Sequence, residues 1–347
     1  MTDIKLRRLE AADGKALENL FSFSPDGGQF AISPRYQIDP YQALIELAPN
    51  SAGVVAELAD TGEIVGVGLV QIEGRLLAGT LVPCAALHSL TVHPSYRQQG
   101  IATGLAEWRI AYAREQMGEG GVILAFIQKG NSGSLAAAEK WGAVRNQHIR
   151  NSLIRTRQKL PTAVSDVTIR KAIPAEYEQI AHSLNAFYAD YDLYTPHTAE
   201  NLTVWLEETP FKRPFRHYYV VVDSKNKILA GLAIAEQFRI VTMHVQNMPA
   251  PVRLLNQLVK MVPPDGILRQ LSVSKIWYAP EQIAAAQFLW ESMRWQLRDA
   301  GSHLLHSYDS RSPVAKIISP PFWMPKGAAV IVGEMTAEMG ERLICQS

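Results

Sequence analysis

Cysteine is scarce in this chain, with two among 347 residues, Cys84 and Cys345. Two thiols so far apart supply neither a disulfide framework nor a metal-ligand spacing, so a reducing compartment is expected and no metal. An excess of one charge is also missing: 34 Lys and Arg stand against 33 Asp and Glu, a formal net charge of +1. That balance gives no electrostatic reason to expect nucleic acid or an acidic membrane surface as a partner. No apolar run approaches the ~20 residues that span a bilayer, and residues 1–8 contain no apolar signal core. The expected location is cytoplasmic, with neither membrane nor nucleic acid among the partners. Hydrophobic residues make up 47% and charged ones 19%, a globular rather than a disordered balance. The length exceeds one ordinary domain and predicts two of similar size.

Residues 87–102 organise the first half. Leu90 and Val92 alternate with polar neighbours as in a strand, and Pro94 stops that strand before a helical run over residues 103–117. Between the two, Arg97, Gly100 and Ala102 form an Arg-x-x-Gly-x-Ala turn. Such a turn offers main-chain N–H groups with no partner inside the helix, a glycine that lets a ligand approach, and the positive end of the helix dipole. Those are the requirements for holding a pyrophosphate. The candidate binding residues are therefore Arg97, Gln98, Gln99, Gly100, Ile101, Ala102 and Thr103, with the two glutamines acting through their backbone N–H groups. A short apolar run follows over residues 121–127, and Asn131 then opens a helix that ends near Gly142.

The turn and its flanks resemble the central signature of the Gcn5-related N-acetyltransferases (GNAT), written Arg/Gln-x-x-Gly-x-Gly/Ala. The resemblance implies an α/β fold with a mixed sheet, acetyl-coenzyme A as cosubstrate with its pyrophosphate on the turn, and transfer of the acetyl group to an amine. It further implies that Leu90, Thr91 and Val92 pair with the pantetheine arm, that a main-chain N–H here, taken as that of Leu90, faces the thioester carbonyl, and that Asn131 bonds the arm. His88 stands four residues before Val92, where many members carry a glutamate proposed as base. An imidazole of ordinary pKa, about 6.5, is free to accept a proton at neutral pH; Glu57 is the reserve. The plainer roles, a polar side chain facing a cleft for His88 and an N-cap for Asn131, stay open on sequence alone. Seven residues after the helix-opening asparagine, where the family often has a tyrosine that protonates the departing sulfur, this chain has Ala138. A thiolate leaves tolerably and water can protonate it.

Residues 158–166 lack periodicity and read as a linker. Beyond them, residues 167–172 echo residues 4–9, and the order of elements repeats. Helices are expected over 174–191 and 198–208, a hairpin over 218–223 and 228–238, and an added helix over 251–262. A strand over 268–278, a helix over 281–298 and a strand over 303–308 follow, and residues 313–318 and 328–335 finish the series. The fold expected is two tandem GNAT-like acyl-CoA N-acyltransferase domains, 1–157 and 167–347, the second degenerate. In the second copy the turn has no glycine, Pro280 has no N–H to donate, and Glu281 places a carboxylate where a diphosphate would sit. One cofactor site is thus expected, in the first half. The polar stretch 24–40, with Asp26, Gln29, Arg35, Tyr36 and Asp39, is expected to be a loop that walls the acceptor cleft. An acetyl-CoA-dependent N-acetyltransferase acting on a small-molecule or protein amine is the leading reading. A CoA-binding sensor without efficient turnover, or transfer of a longer acyl group, are the alternatives.

Overall fold

The computed structural model describes residues 3–23, 31–118, 120–318, 320, 327–334 and 341–345. The first half runs β1 (Ile4–Arg8), α1 (Gly14–Phe23), β2 (Ala31–Tyr36), α2 (Pro40–Leu47), β3 (Ser51–Leu58), β4 (Ile64–Leu77), β5 (Thr80–Val92), α3 (Ile101–Met117), β6 (Val122–Gln128), α4 (Ser132–Ala138) and β7 (Ala143–Arg155). The second begins with β8 (Val167–Lys171), α5 (Tyr177–Phe187), β9 (Tyr191–Asp192), α6 (Ala199–Glu207), β10 (Arg216–Asp223), β11 (Ile228–Ala235), β12 (Val241–Asn247) and α7 (Ala250–Val259). It ends with β13 (Ile267–Leu268), β14 (Gln270–Tyr278), α8 (Ile283–Gln296), β15 (His303–Asp309), α9 (Val314–Ile318), β16 (Gly327–Glu334) and β17 (Leu343–Ile344).

Period-two alternation divides each half into two helical layers. Val55, Val67 and Leu69 meet Leu17, Leu20 and Leu44 of α1 and α2 on one face. Val54, Ala56 and Val65 meet Ile101 and Leu105 of α3 on the other. A sheet covered on both faces needs apolar residues at every position, and the first seven residues of β4 and of β11 are accordingly all buried. In the second half, α5 and α6 cover one face through Ile180, Leu184, Leu202 and Leu206, while α8 covers the other through Leu289, Trp290 and Met293. Ala78 and Gly79, both at positive φ (51° and 81°), make the tight turn that lets β4 and β5 pair out to Leu77 and Thr80.

One twelve-stranded sheet runs through both halves in the order β1-β3-β4-β5-β6-β16-β7-β15-β14-β11-β10-β8. Read inward from either edge, the two halves repeat the same series of elements, and at the centre they exchange. β16 of the second half lies between β6 and β7, and β7 of the first half pairs with β15. The second series opens at β8 after the linker, yet the sheet is not divided there.

Two further ties cross between the halves. Residues 31–36, read from sequence as loop, are the strand β2, which pairs with β12 in a three-stranded sheet β13-β12-β2. Pro34 suits this position because β2 is an edge strand. Residues 24–30, including Asp26 and Gln29, lie outside the described residues. Arg216, buried at the start of β10, donates to Glu46 O of α2 as well as to Trp205 O and Glu208 O.

Two predictions follow from this architecture. A chain cut within residues 158–166 should still elute as one particle by gel filtration, because β7 and β16 hold the halves together. A chain ending at residue 326 should lose its cooperative thermal transition by circular dichroism, since β6 and β7 would both be left with a bare apolar edge. A third prediction concerns buried histidines: burial lowers His88, His303 and His306 to pKa about 4 and His197 to about 3, from an ordinary 6.5. Between those values the unfolded chain binds protons that the folded chain refuses, so stability rises with pH and is lost as pH falls from about 6.5 toward 4. Differential scanning calorimetry should show Tm falling by roughly 5–10 °C between pH 7 and pH 5.

Candidate active site

β5 and β6 pair in parallel over Cys84–Leu87 and Val122–Ala125 and then diverge. Beyond Leu87, His88, Thr91 and Val92 keep β4 on one side, and residues 88–92 have no strand on the other among the described residues. Phe126, Ile127 and Gln128 likewise pair with β16 alone. The result is a slot with a main-chain edge on each wall, which begins at the split and runs toward the N-terminus of α3.

At the far end of the slot lies the turn. Gln98 and Gly100 both sit at positive φ (63° and 83°), which aims successive amides into one concavity. Among the described residues, the backbone N–H groups of Gln98, Gln99, Gly100, Ile101, Ala102 and Thr103 have no acceptor. Gln98, Gln99 and Gly100 are exposed, whereas the Ile101 side chain is core and anchors the helix. Arg97 is exposed, its Nε donating to Val92 O at 3.2 Å and the rest of its guanidinium making no hydrogen bond or ion pair among the described residues. Lys140, which the sequence reading passed over, donates from Nζ to Thr103 Oγ1 at 3.4 Å and sets a second cation beside the amides. Asn131 caps α4, its Oδ1 accepting from Ser134 N–H at 3.1 Å, which leaves its amide NH2 to meet a ligand.

Near the split, β5 carries an extra residue. Val67 pairs with Thr91 and Leu69 with His88, so Gly68 stands opposite both Ser89 and Leu90, and Ser89 adopts φ 52°. This bulge breaks the ladder and would leave carbonyls unpaired. Arg109 of α3 repairs it from below. Its Nη1 donates to Leu69 O and to His88 O, both at 3.2 Å, and its Nε to Leu105 O at 2.9 Å. Gly68 makes room for it, because a Cβ there would lie 2.9 Å from the guanidinium carbon. Arg109 is 3% exposed and has no carboxylate partner among the described residues. Burial lowers its pKa to about 10, so it stays charged at neutral pH. The sequence did hold a signal: a charge at the inward position of the series Ile101, Leu105, Arg109, Ala113.

His88 lies directly above this arginine. Its Nε2 is 3.2 Å from Ser51 Oγ and its Nδ1 is 3.1 Å from Ser89 Oγ. Burial, helped by the charges of Arg109 and Arg75, lowers its pKa to about 4. It is neutral at pH 7, but a far weaker proton acceptor than an ordinary imidazole. Glu57 is paired with Arg7. Ala138 is buried in the core beneath α4. Tyr112 stacks on Trp108, and Tyr96 packs against His93.

The second half repeats the geometry and fills it. β14 and β15 pair over Gln270–Ser272 and His303–Leu305 and then part. β14 carries the matching bulge, with Lys275 at φ 52°. Here, though, Tyr218 Oη donates to Lys275 O (2.8 Å), Tyr188 Oη donates to Ile276 O (2.7 Å), and His306 Nδ1 bonds Val273 O (2.7 Å). Side chains thus occupy the strand edge that stands free in the first half. The stretch from Tyr278 to Ile283 is short and contains Pro280, and Ala285 and Ala286 N–H already bond Gln282 O.

Replacing Arg109 by Met should cost about 2–4 kcal/mol of unfolding free energy in urea titrations, because two buried carbonyls lose their donor. Arg109→Lys should cost less. Gly68→Ala should also destabilise, and combining it with Arg109→Met should cost less than the sum, since both act through one contact.

Comparison with known proteins agrees with this geometry. Residues 16–143 match the family model "Acetyltransferase (GNAT) family". Among curated proteins no sequence matches the chain. Among solved structures, Saccharomyces cerevisiae N-myristoyltransferase with bound myristoyl-CoA superposes with a TM-score of 0.66 at 10% identity, over 100% of this chain and 86% of that one. A GCN5-related N-acetyltransferase from Sphaerobacter thermophilus gives 0.59 at 15% identity, over 95% of each chain. A tandem GNAT protein from the clavulanic acid biosynthesis pathway gives 0.58 at 14%, over 97% of this chain and 99% of that one. At such identities the likeness is one of fold, and it extends over both halves. Residues 16–143 are therefore a GNAT-family domain, and the rest of the chain completes its sheet with a second, diverged copy of the same fold.

Proposed function

We propose that the chain is an acyl-coenzyme A-dependent N-acyltransferase, specifically one that moves an acetyl group to a primary amine, with cosubstrate and chemistry both in the first half. The observation that carries this reading is the row of free amides from Gln98 to Thr103, flanked by Arg97 and Lys140, at the end of a slot with two unpaired strand edges. A diphosphate suits the amides and cations, and an extended amide-containing arm suits the strand edges. Leu90, which has no register partner in β4, would offer its N–H to the thioester oxygen as negative charge develops there. Thr91 and Val92 would pair with the arm, and Asn131 would donate to it.

His88 acts in this reading as a relay. With a hydroxyl beside each ring nitrogen, it can take the proton of Ser89 on Nδ1 while Nε2 gives one to Ser51, Ser89 recovers a proton from the amine and Ser51 passes its own to solvent, so the ring never has to become a cation. That suits a group whose cationic form is disfavoured down to pH about 4. Ser89, exposed at the bulge, is the member within reach of an incoming amine. The departing thiolate takes its proton from water.

Release of free thiol from acetyl-CoA across an amine panel tests the reading. Turnover separates a transferase from a CoA-binding sensor, and longer-chain thioesters run beside acetyl-CoA separate the acyl classes. Arg97→Glu should weaken CoA binding by at least about 100-fold in calorimetry, as a repulsive charge replaces an attractive one beside a diphosphate. Unchanged affinity would remove the turn from consideration. The rate of the parent enzyme should show no inflection near pH 6.5, whereas a free histidine base would give one there.

A further inference from the structure

The second slot, closed by tyrosines and His306, retains a cavity of about 20 Å³. A space of that size holds a water molecule or the head of a small polar group, and nothing as large as a pantetheine arm. Its walls include Lys275 at the second bulge, together with Tyr191, His197 and Ser312. Tyr191 Oη and Ser312 Oγ lie side by side, as do His197 and Asn201, but Tyr191 Oη, Ser312 Oγ and His197 Nε2 make no hydrogen bond of ordinary geometry among the described residues. Tyr191 is 4% exposed and Ser312 is 3% exposed, so solvent does not stand in for the missing partners.

Charge decides what can occupy this space. Asp309 also faces the cavity, but its carboxylate is committed: Arg311 donates to it from Nε at 3.0 Å and from Nη2 at 2.6 Å, and Ile344 N–H at 3.1 Å. Lys275 has no carboxylate within ion-pairing distance among the described residues; its Nζ rests 4.2 Å from the Trp205 ring centroid. A partly buried ammonium with no ion-pair partner among the described residues, beside polar atoms without well-formed hydrogen bonds, is costly unless something anionic completes the set. Water would satisfy the hydroxyls and leave the charge uncompensated.

The first half also contributes to the surroundings of the cavity. The β4–β5 hairpin reaches across to its wall, with Leu76 N–H on Tyr194 O (2.8 Å), Leu193 N–H on Leu76 O (2.6 Å) and Ala78 N–H on Asp192 Oδ1 (2.8 Å). The same hairpin carries the ion pair of Glu73 with Arg75, near enough for Arg75 to bear on His88 and for Glu73 to bear on Lys275. His88 and Lys275 thus each feel one member of the same ion pair.

We propose that this cavity binds the carboxylate of a small molecule, held by Lys275, Tyr191 and Ser312, and that the molecule is the amine acceptor. The assignment to the acceptor rests on the transferase reading; the carboxylate site itself does not.

The test uses the full chain and calorimetry with a panel of short α-, β- and ω-amino acids, each run beside the amine that lacks its carboxylate. The acids should bind at least tenfold more tightly than their amines. Lys275→Met should abolish that preference, and Ser312→Ala and Tyr191→Phe, which remove one hydroxyl each, should reduce it, all three with acetyl-CoA binding unchanged. The proposal is overturned if the parent shows no preference for any acid, or if Lys275→Met retains it. Acid binding that depends on Lys275 without any acyl transfer would uphold the site and refute the transferase reading. Transfer to amines with no such preference would do the reverse.

Discussion

The structure depends on the pairing of β16 with β6 and β7 at the centre of the sheet. Each half ends in a strand that the other half needs, so neither series of elements closes a sheet by itself. The cost of leaving apolar edges and unpaired backbone groups bare enforces the exchange. It also fixes where chemistry can occur. With β6-β16-β7-β15 locked as a central block, β5 diverges from one side of it and β14 from the other. Two equivalent slots are thereby placed symmetrically about the shared strands, joined through the interior rather than separated by a linker.

From that common starting point the two slots diverge by filling, not by refolding. Both have a bulge with a residue near φ 52°, Ser89 in one and Lys275 in the other. Under the first bulge, an arginine enters from α3 and leaves the slot side of the strand clear. At the second, the hydroxyls of Tyr188 and Tyr218 bond the strand's own carbonyls, and His306 takes the one nearest the split. The turns diverge in parallel: glycine at positive φ with free amides in one, proline and early-capped amides in the other. A slot whose edge groups are already satisfied has little to offer a pantetheine arm, so the tyrosines and the loss of the glycine turn act toward the same end.

The sequence showed what depends on local chemistry. Gly100 and the residues around it spelled out the turn, because positive φ and helix-start amides are properties of a few adjacent residues. The series of strands and helices in both halves was legible from period-two and helical spacing, and Pro280 was enough to mark the second turn as unsuited to phosphate. What could not be read involves partners distant in sequence. β2 has no apolar alternation and contains Pro34, and it is a strand because β12 lies beside it about two hundred residues later. The exchange of β7 and β16 leaves no trace in either strand, since both read as ordinary closing strands. Arg109 falls on the inward row of its helix, but the carbonyls it serves come into view only when the sheet bulge is placed against it, and Lys275 looks like a surface charge until the second bulge is.

His88 illustrates how such distant partners change a role. On sequence it is an imidazole of ordinary pKa at the position of a family base. In the fold it sits over a buried guanidinium whose charge cannot be removed without unpairing the carbonyls of Leu69 and His88 itself. Burial does most to disfavour imidazolium there, and the arginine that shapes the bulge adds to it, so the bulge and the neutral ring come together. A chain that keeps the bulge in this way gives up a free histidine base. What remains is a neutral ring with a hydroxyl at each nitrogen, able to pass a proton along the line Ser89, His88, Ser51 by exchanging tautomers. In the proposed transfer, burial of the ring together with one buried cation sets both the geometry at the thioester and the proton movement at the amine, a role that accounts for an arginine where the packing pattern of α3 calls for an apolar residue.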